Sequence, residues 1–333
     1  MNDISAYQLN AFIQEKWLYD AIYSGIPAIE ALKKRATKQK GLPASQRAYR
    51  EIKGGEKIQD SPLLSGSSTG IRLGAGAVYN VAGHDPAVKI EWPWGGIGDV
   101  MLIEKTDTAR NDGSGKLADS IQTRLREKMD YLGDLLETDL FDDNETGVSG
   151  WAGINGLGTI IPALYSSGTT GGITRASYAG WQNQYTASIG DVTPTGAGQA
   201  AMIALLAACK KATGKEWDYI FAGSNTWSYI GQAAMEVGRT YFQKMDKPDL
   251  GFPEFGFMGA SVLLMPKMAN TDAFYGINTD ALVFAVNSNM NFKVDGPIQA
   301  LDQPVKGWQI DVMAQFFPRR LNGLALGDGV ANS

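Results

Sequence analysis

The stretch 117-LADSIQTRLREKMDYLGDLLETDL-140 reads as one long helix. Its apolar residues Leu117, Ile121, Leu125, Met129, Leu132, Leu136 and Leu140 stand 4, 4, 4, 3, 4 and 4 positions apart, which holds them on one side of a 3.6-residue turn. A helix of about 28 residues is roughly 40 Å long at 1.5 Å per residue. Such a stripe faces a core. Ser114, between Gly113 and Gly115, is the candidate N-cap. The C-terminal half is unusual: Asp130, Asp134, Glu137, Asp139, Asp142, Asp143 and Glu145 place seven acids in 130–145 with no base among them. Acids in a last turn oppose the helix dipole by about 0.3–1 kcal/mol each. A cationic partner is therefore expected.

The segment that could supply it lies upstream. From Lys33 to Lys57 there are nine basic residues (Lys33, Lys34, Arg35, Lys38, Lys40, Arg47, Arg50, Lys53, Lys57) against Glu51 and Glu56, a net +7. The whole chain carries −5, so the remainder carries −12. One reading is a solvated arm, since charge blocks are commonly tails. The other is an arm lying on an acidic surface of another subunit, or near packaged nucleic acid. On that reading Lys33, Lys34, Arg35, Lys38, Arg47 and Arg50 meet Asp134, Glu137, Asp139, Asp142 and Asp143, within or between subunits. Residues 1–32 form a loose amphipathic stretch with Leu9, Phe12, Ile13, Trp17, Leu18 and Ile22 at mixed spacings.

Residues 54–98 hold ten glycines and few helix signals. Val88, Ile90 and Trp92 alternate with Lys89 and Glu91, the pattern of a half-buried strand, after the turn signal Gly83-His84-Asp85-Pro86. A long two-stranded ribbon is expected here. Such a ribbon is marginally stable alone in water, so another chain is expected to clamp it, with Arg72 and Trp92 as candidate intersubunit contacts. Beyond the Gly-rich segment 147–172 the pattern turns mixed α and β. A helix over 197–213 carries Met202, Leu205, Leu206 and Cys209 on one face and ends at Lys210-Lys211-Ala212-Thr213-Gly214. Strands are expected at 219–221, 261–265 and 281–286, with a helix around 226–238. The last strand, 305–317, alternates Trp308, Ile310, Val312, Ala314 and Phe316 with Gln309, Asp311 and Gln315. The fold class is α+β.

Composition narrows the chemistry. The chain has 333 residues, 44% of them hydrophobic, so a substantial core is available. Its net charge argues against a chain-wide attraction to nucleic acid. One cysteine, Cys209, and one histidine, His84, exclude an intrachain disulfide and a Cys/His zinc site. The first residues lack the basic and apolar regions of a signal peptide. The longest apolar run, Ala200 to Cys209, is far short of the roughly 20 residues that cross a bilayer. A soluble, non-secreted protein with no membrane partner is the expectation.

Catalytic motifs fail in context. Gly66-Ser67-Ser68-Thr69-Gly70 matches a nucleophile elbow, but no helix signal follows it and no acid lies between Ser68 and the lone His84. Gly113-Ser114-Gly115-Lys116 lacks the phosphate-loop residues where Arg110 and Leu117 stand, and a dinucleotide turn there lacks its strands. The acids at 139–145 do not follow the ligand order of a calcium loop. No catalytic, cofactor-binding or metal-binding residue is assigned, and no cofactor is expected. A serine hydrolase using Ser68 is the alternative from a different class.

The order of segments then carries a resemblance. Lys89-Ile90-Glu91-Trp92, the long helix, Gly156-Leu157-Gly158-Thr159-Ile160-Ile161-Pro162, and Gly171-Gly172-Ile173-Thr174-Arg175-Ala176 with Trp181-Gln182-Asn183-Gln184 follow one another. This resembles the G-G-I-D-R…W-R-N-Q region of tailed-bacteriophage major capsid proteins, with Thr174 and Gln182 in place of Asp and Arg. The ending Pro318-Arg319-Arg320-Leu321-Asn322-Gly323 is similar as well. The resemblance implies the Hong Kong ninety-seven-type fold. Residues 1–50 would be an N-terminal arm and 51–98 the extended β-ribbon loop. Residues 99–149 and 291–325 would form the peripheral domain, with spine helix 115–143, and 150–290 the axial domain. It also implies self-assembly into hexamers and pentamers of an icosahedral shell around double-stranded DNA, bound non-specifically, in a virion built in the host cytoplasm. A separate scaffolding protein and a portal are implied partners. Encapsulin nanocompartments share the fold and are the alternative shell. With one imidazole in the chain, an assembly switch between about pH 4 and 6 is expected to come from carboxylates.

Overall fold

The computed structural model describes residues 22–23, 25–43, 47–62, 88–104, 114–141, 153–194, 196–236, 255–299 and 305–332. Its elements begin with α1 (Pro27–Lys38), β1 (Tyr49–Ile52), β2 (Lys57–Asp60), β3 (Ile90–Pro93), β4 (Gly95–Glu104) and the long helix α2 (Ser114–Phe141). Then come α3 (Leu157–Ile160), β5 (Thr169–Thr170), β6 (Ile173–Thr174), β7 (Gln184–Thr186), β8 (Gly190–Asp191), α4 (Gly198–Thr213), β9 (Tyr219–Ala222) and α5 (Ser224–Glu236). The chain closes with β10 (Phe255–Phe257), β11 (Ala260–Leu264), β12 (Phe274–Ile277), β13 (Leu282–Asn287), β14 (Lys293–Gln299), β15 (Val305–Pro318), β16 (Ala325–Gly327) and β17 (Val330–Ala331).

The first sheet is organised by β15. Along one edge it pairs antiparallel with β4 from Val305↔Glu104 to Ala314↔Gly95. Along the other it pairs first with β14 and then with β13, and β1 adds in parallel to β13. The stripe on α2 buries Leu125, Met129, Leu132, Leu136 and Leu140 in the core that also takes the inner face of β15. The side chains of Leu117 and Ile121 lie outside the described residues.

The basic segment is not a solvated arm. Proline at the first position opens α1, and Ala28, Ile29, Ala31, Leu32 and Ala36 recur at three- and four-residue spacings. That face is buried in the same core. The chain then enters the sheet as β1. Lys33 and Lys34 ride on the flanks of a packed helix because the apolar stripe fixes which way it faces.

The second sheet runs β10-β11-β9-β12-β16-β7. The apolar face of α4 buries Met202, Leu205, Leu206 and Cys209 against it, with Trp217 and Phe274, in a separate core. The helix stops at Gly214 (φ +74°), whose N–H reaches the Lys210 carbonyl at 2.7 Å, the left-handed ending that glycine permits.

Two features differ from the linear reading. The chain crosses between the sheets at Asn278–Ala281: β12 belongs to the second sheet and β13 to the first, although both fall in segment 150–290. After β15 the chain returns to the second sheet as β16. Gln315, read as an outward-facing residue, is fully buried. Segment 153–155 and the β3–β4 corner cover that side of β15. The amide of Gln315 donates to the Pro93 carbonyl at 2.8 Å and accepts from Asn155 N–H at 2.6 Å. Alternation reports faces, and here both faces are covered.

Candidate assembly interface

The base of the ribbon is held by its own chain. β2 and β3 pair antiparallel, with Ile58 opposite Trp92 and Asp60 opposite Ile90. Trp92 is buried and stacks on Phe317 with ring centres 6.4 Å apart. Gly171 comes against the indole: a Cβ there would lie 2.7 Å from Trp92 Cζ2, and its φ of +61° also favours glycine. The Trp94 indole N–H donates to the Gly55 carbonyl at 2.8 Å. On the outer face Glu91 takes Lys89 (2.7 Å) and Lys57 (3.2 Å), whose hydrogen bonds draw its carboxyl below the ordinary range. Trp92 therefore packs inside its own chain. Arg72, Ser68 and His84 lie outside the described residues.

The motif that carries the resemblance is a buried hydrogen-bond knot. Arg175 is 1% exposed. Its guanidinium donates to Thr170 Oγ1 (2.8 Å), Asn183 Oδ1 (2.7 Å) and the carbonyls of Ile160 (2.7 Å) and Thr159 (3.3 Å). The Trp181 indole N–H donates to the Thr170 carbonyl at 2.9 Å, and Asn183 Nδ2 to the Pro162 carbonyl at 3.1 Å. Gln182 donates back to the Arg175 carbonyl at 3.0 Å. One arginine thus ties α3, the β5–β6 hairpin and the approach to β7 together. The five N–H groups of a planar guanidinium suit several fixed acceptors at once, which a lysine would not.

The basic residues are distributed around the first sheet. Lys33 Nζ stands over the rings of Tyr23 (4.9 Å) and Tyr49 (5.4 Å), and Lys34 pairs with Glu30 at 3.1 Å. Arg35 forks onto Asp280, and Lys38 is exposed. Arg47 donates to the carbonyls of Leu42 and Lys40, bracing the turn before β1. Arg50 is buried over the Phe317 ring and pairs with Asp60 at 2.9 Å. The described acids lie elsewhere. Asp134 is exposed and takes Lys267 at 3.0 Å, and Asp139 is half-buried. Glu137 is buried, and burial pushes its carboxyl above the ordinary range. Asp142 and Asp143 lie outside the described residues. Among the described residues Lys34 pairs with Glu30, Arg35 with Asp280 and Arg50 with Asp60.

Nothing in the local sequence around Asp60, Lys215 or Asp280 marks them as the residues that gather these charges. Asp60, Lys215, Asp280 and the Arg319-Arg320 pair are far apart in sequence and meet only through the fold. Arg319-Arg320 after a long strand was the one local signal. Among the described residues no group of three or more His, Cys, Asp or Glu could hold a metal, and no helix is long and apolar enough to cross a membrane.

No family model matches the sequence, and no curated protein matches it. Solved structures do match in fold. A chain of the Cyanophage A-1(L) capsid asymmetric unit aligns at TM-score 0.64 and 15% identity, over 84% of this chain and 90% of that one. The holo-SrpI encapsulin complex of Synechococcus elongatus PCC 7942 aligns at TM-score 0.55 and 11% identity, over 85% and 84%. The capsid of an empty GTA particle aligns at TM-score 0.50 and 14% identity, over 89% and 90%. These alignments cover 84–89% of this chain, and the chain has the Hong Kong ninety-seven-type fold.

Proposed function

We propose that this chain is the major capsid protein of a tailed phage, self-assembling into hexamers and pentamers of an icosahedral shell that encloses double-stranded DNA. The observation that carries the reading is the likeness in fold, over 84% of this chain, to a phage capsid chain. The sequence order of arm, ribbon, spine helix and Arg175 knot supports it independently. The role is structural, and no enzymatic step is assigned. Shells of this kind add many modest contacts, so each interface is weak alone and the closed array is stable through multivalency. A separate scaffolding protein, a portal and the packaged DNA are the proposed partners, and the virion capsid, assembled in the host cytoplasm, is the proposed location.

Purified full-length protein imaged by electron microscopy and sized by sedimentation tests this reading. Rings or closed shells are expected, and a compact monomer at every concentration overturns it. The encapsulin likeness supports a second reading, a protein compartment around enzyme cargo. Nucleic acid inside particles purified from the native source favours the phage shell; a copurifying enzyme in place of DNA favours the compartment.

A further inference from the structure

Lys215, Arg319 and Arg320 line a cleft of about 550 Å³ together with Asp60 and Asp280, between the ribbon base, the β12–β13 link and the end of β15. Arg35 and Arg50 stand beside it, each bonded to one of its carboxylates. Asp280 serves both Arg35 and Lys215. Asp60 serves both Arg50, at 2.9 Å, and Arg319, at 3.7 Å. Arg319 also donates to the Arg47 carbonyl at 3.1 Å, and Arg320 is exposed.

The charges do not balance. Five cations meet two carboxylates. Asp218, which accepts from Thr279 and acts electrostatically on Arg35, raises the acids to three and leaves a surplus of two positive charges. Burial above all, and then the nearby Arg50, push the Arg319 guanidinium down to about 10, against the pull of Asp60 and Asp280. A positive surplus in a concave site of lowered dielectric draws anions more strongly than the same charges on open surface. Guanidinium forks match the paired oxygens of a carboxylate or a phosphate.

We propose that this cleft is an oxyanion site, in which Arg319, Arg320 and Lys215 hold a carboxylate or phosphate group. Two sources share that chemistry. One is an acidic side chain of a neighbouring copy, which rests on the shell reading; the other is free inorganic phosphate, which does not.

The test uses unassembled full-length protein and inorganic phosphate, with chloride at matched ionic strength as the control. Phosphate is expected to raise Tm beyond the chloride control, by about 2–4 °C at roughly ten times its dissociation constant and logarithmically above it. In Arg320→Gln and Lys215→Gln the dissociation constant read from that rise increases about tenfold or more. Both side chains lie largely in solvent, so these variants fold even if Arg319→Gln does not. An equal response to chloride, or an unchanged response in both variants, overturns the site. The source is read from assembly. If a neighbour's carboxylate fills the cleft, phosphate lowers particle yield and Arg320→Glu abolishes it; if free phosphate is the ligand, neither affects yield. Phosphate binding without particles under any condition retains the site and removes the shell reading. Particles without a phosphate effect beyond that of chloride do the reverse.

Discussion

Arg35 on α1 and Asp280 at the β12–β13 link are 245 positions apart and meet as a fork on a carboxylate, with Nη2 3.1 Å from Oδ2 and 3.2 Å from Oδ1. Gln39 Nε2 donates to the same carboxylate at 2.5 Å, and Lys215 pairs with it from the other side. The contact joins the arm helix to the point where the chain crosses between the two sheets. Burial favours the neutral acid at Asp280, but the bonds from Arg35 and Lys215 outweigh it and hold the carboxyl below its ordinary value.

Asp280→Asn therefore leaves two cations without their shared carboxylate and lowers unfolding free energy by about 1–3 kcal/mol. Chemical denaturation of Arg35→Ala, Asp280→Asn and the double variant checks this, with non-additivity expected because the groups touch. Additive losses would place the stabilisation elsewhere. Because the folded carboxyl titrates lower than the unfolded one, this contribution is complete above the ordinary value of 3.8 and is lost as pH falls through the folded value.

Glu137 behaves in the opposite sense. Burial raises its carboxyl, so the unfolded chain ionises it more readily and the residue destabilises the fold at neutral pH. Glu137→Gln stabilises unassembled protein at pH 7, and the gain fades as pH falls through the raised folded value and is gone below the ordinary value of 4.5. Unfolding curves of both proteins across that range measure it. A gain independent of pH would assign the effect to packing.

Gly171→Ala forces a methyl into the Trp92 indole at a backbone angle alanine resists. A loss of about 1–3 kcal/mol follows, concentrated at the ribbon base. Hydrogen exchange at β2 and β3 is expected to accelerate more than exchange in the second sheet. Uniform acceleration would mean the two cores unfold as one unit.

Arg175→Lys keeps the charge but cannot span four acceptors. Buried carbonyls left without donors cost about 1–3 kcal/mol each. A Tm drop of about 5 °C or more is expected. A variant as stable as the parent would show that the knot is dispensable.

Cys209 is fully buried, and burial pushes its thiol up to about 12, against a smaller downward pull from a hydrogen bond with Trp217. A thiol-reactive dye at pH 8 is expected to label it only as fast as the protein opens, and immediately in denaturant. Rapid labelling of the native protein would place α4 in exchange with an open state.

Local periodicity made much of the framework legible. The stripe from Leu117 to Leu140 appears as α2, the alternation from Trp308 to Phe316 as most of β15, and Lys210–Gly214 as the end of α4. Each is a property of neighbouring residues on one element. Gln315 misled because its outward side is covered by residues more than 150 positions away, which no local pattern records. The basic segment misled because charge density hid the apolar stripe of Ala28, Ile29 and Leu32 beneath it.

Sequence alone determined the α+β class, the long helix, the ribbon base and the order of segments, because hydrophobic spacing sets which face of each element avoids water. The tertiary structure decided the rest: that Arg35 meets Asp280, that Arg50 and Arg319 share Asp60, and that five cations gather around one cleft. Those pairings depend on where the chain crosses between sheets at Asn278–Ala281. Ionic partners follow distance in space, and distance in space exists only once both cores have packed.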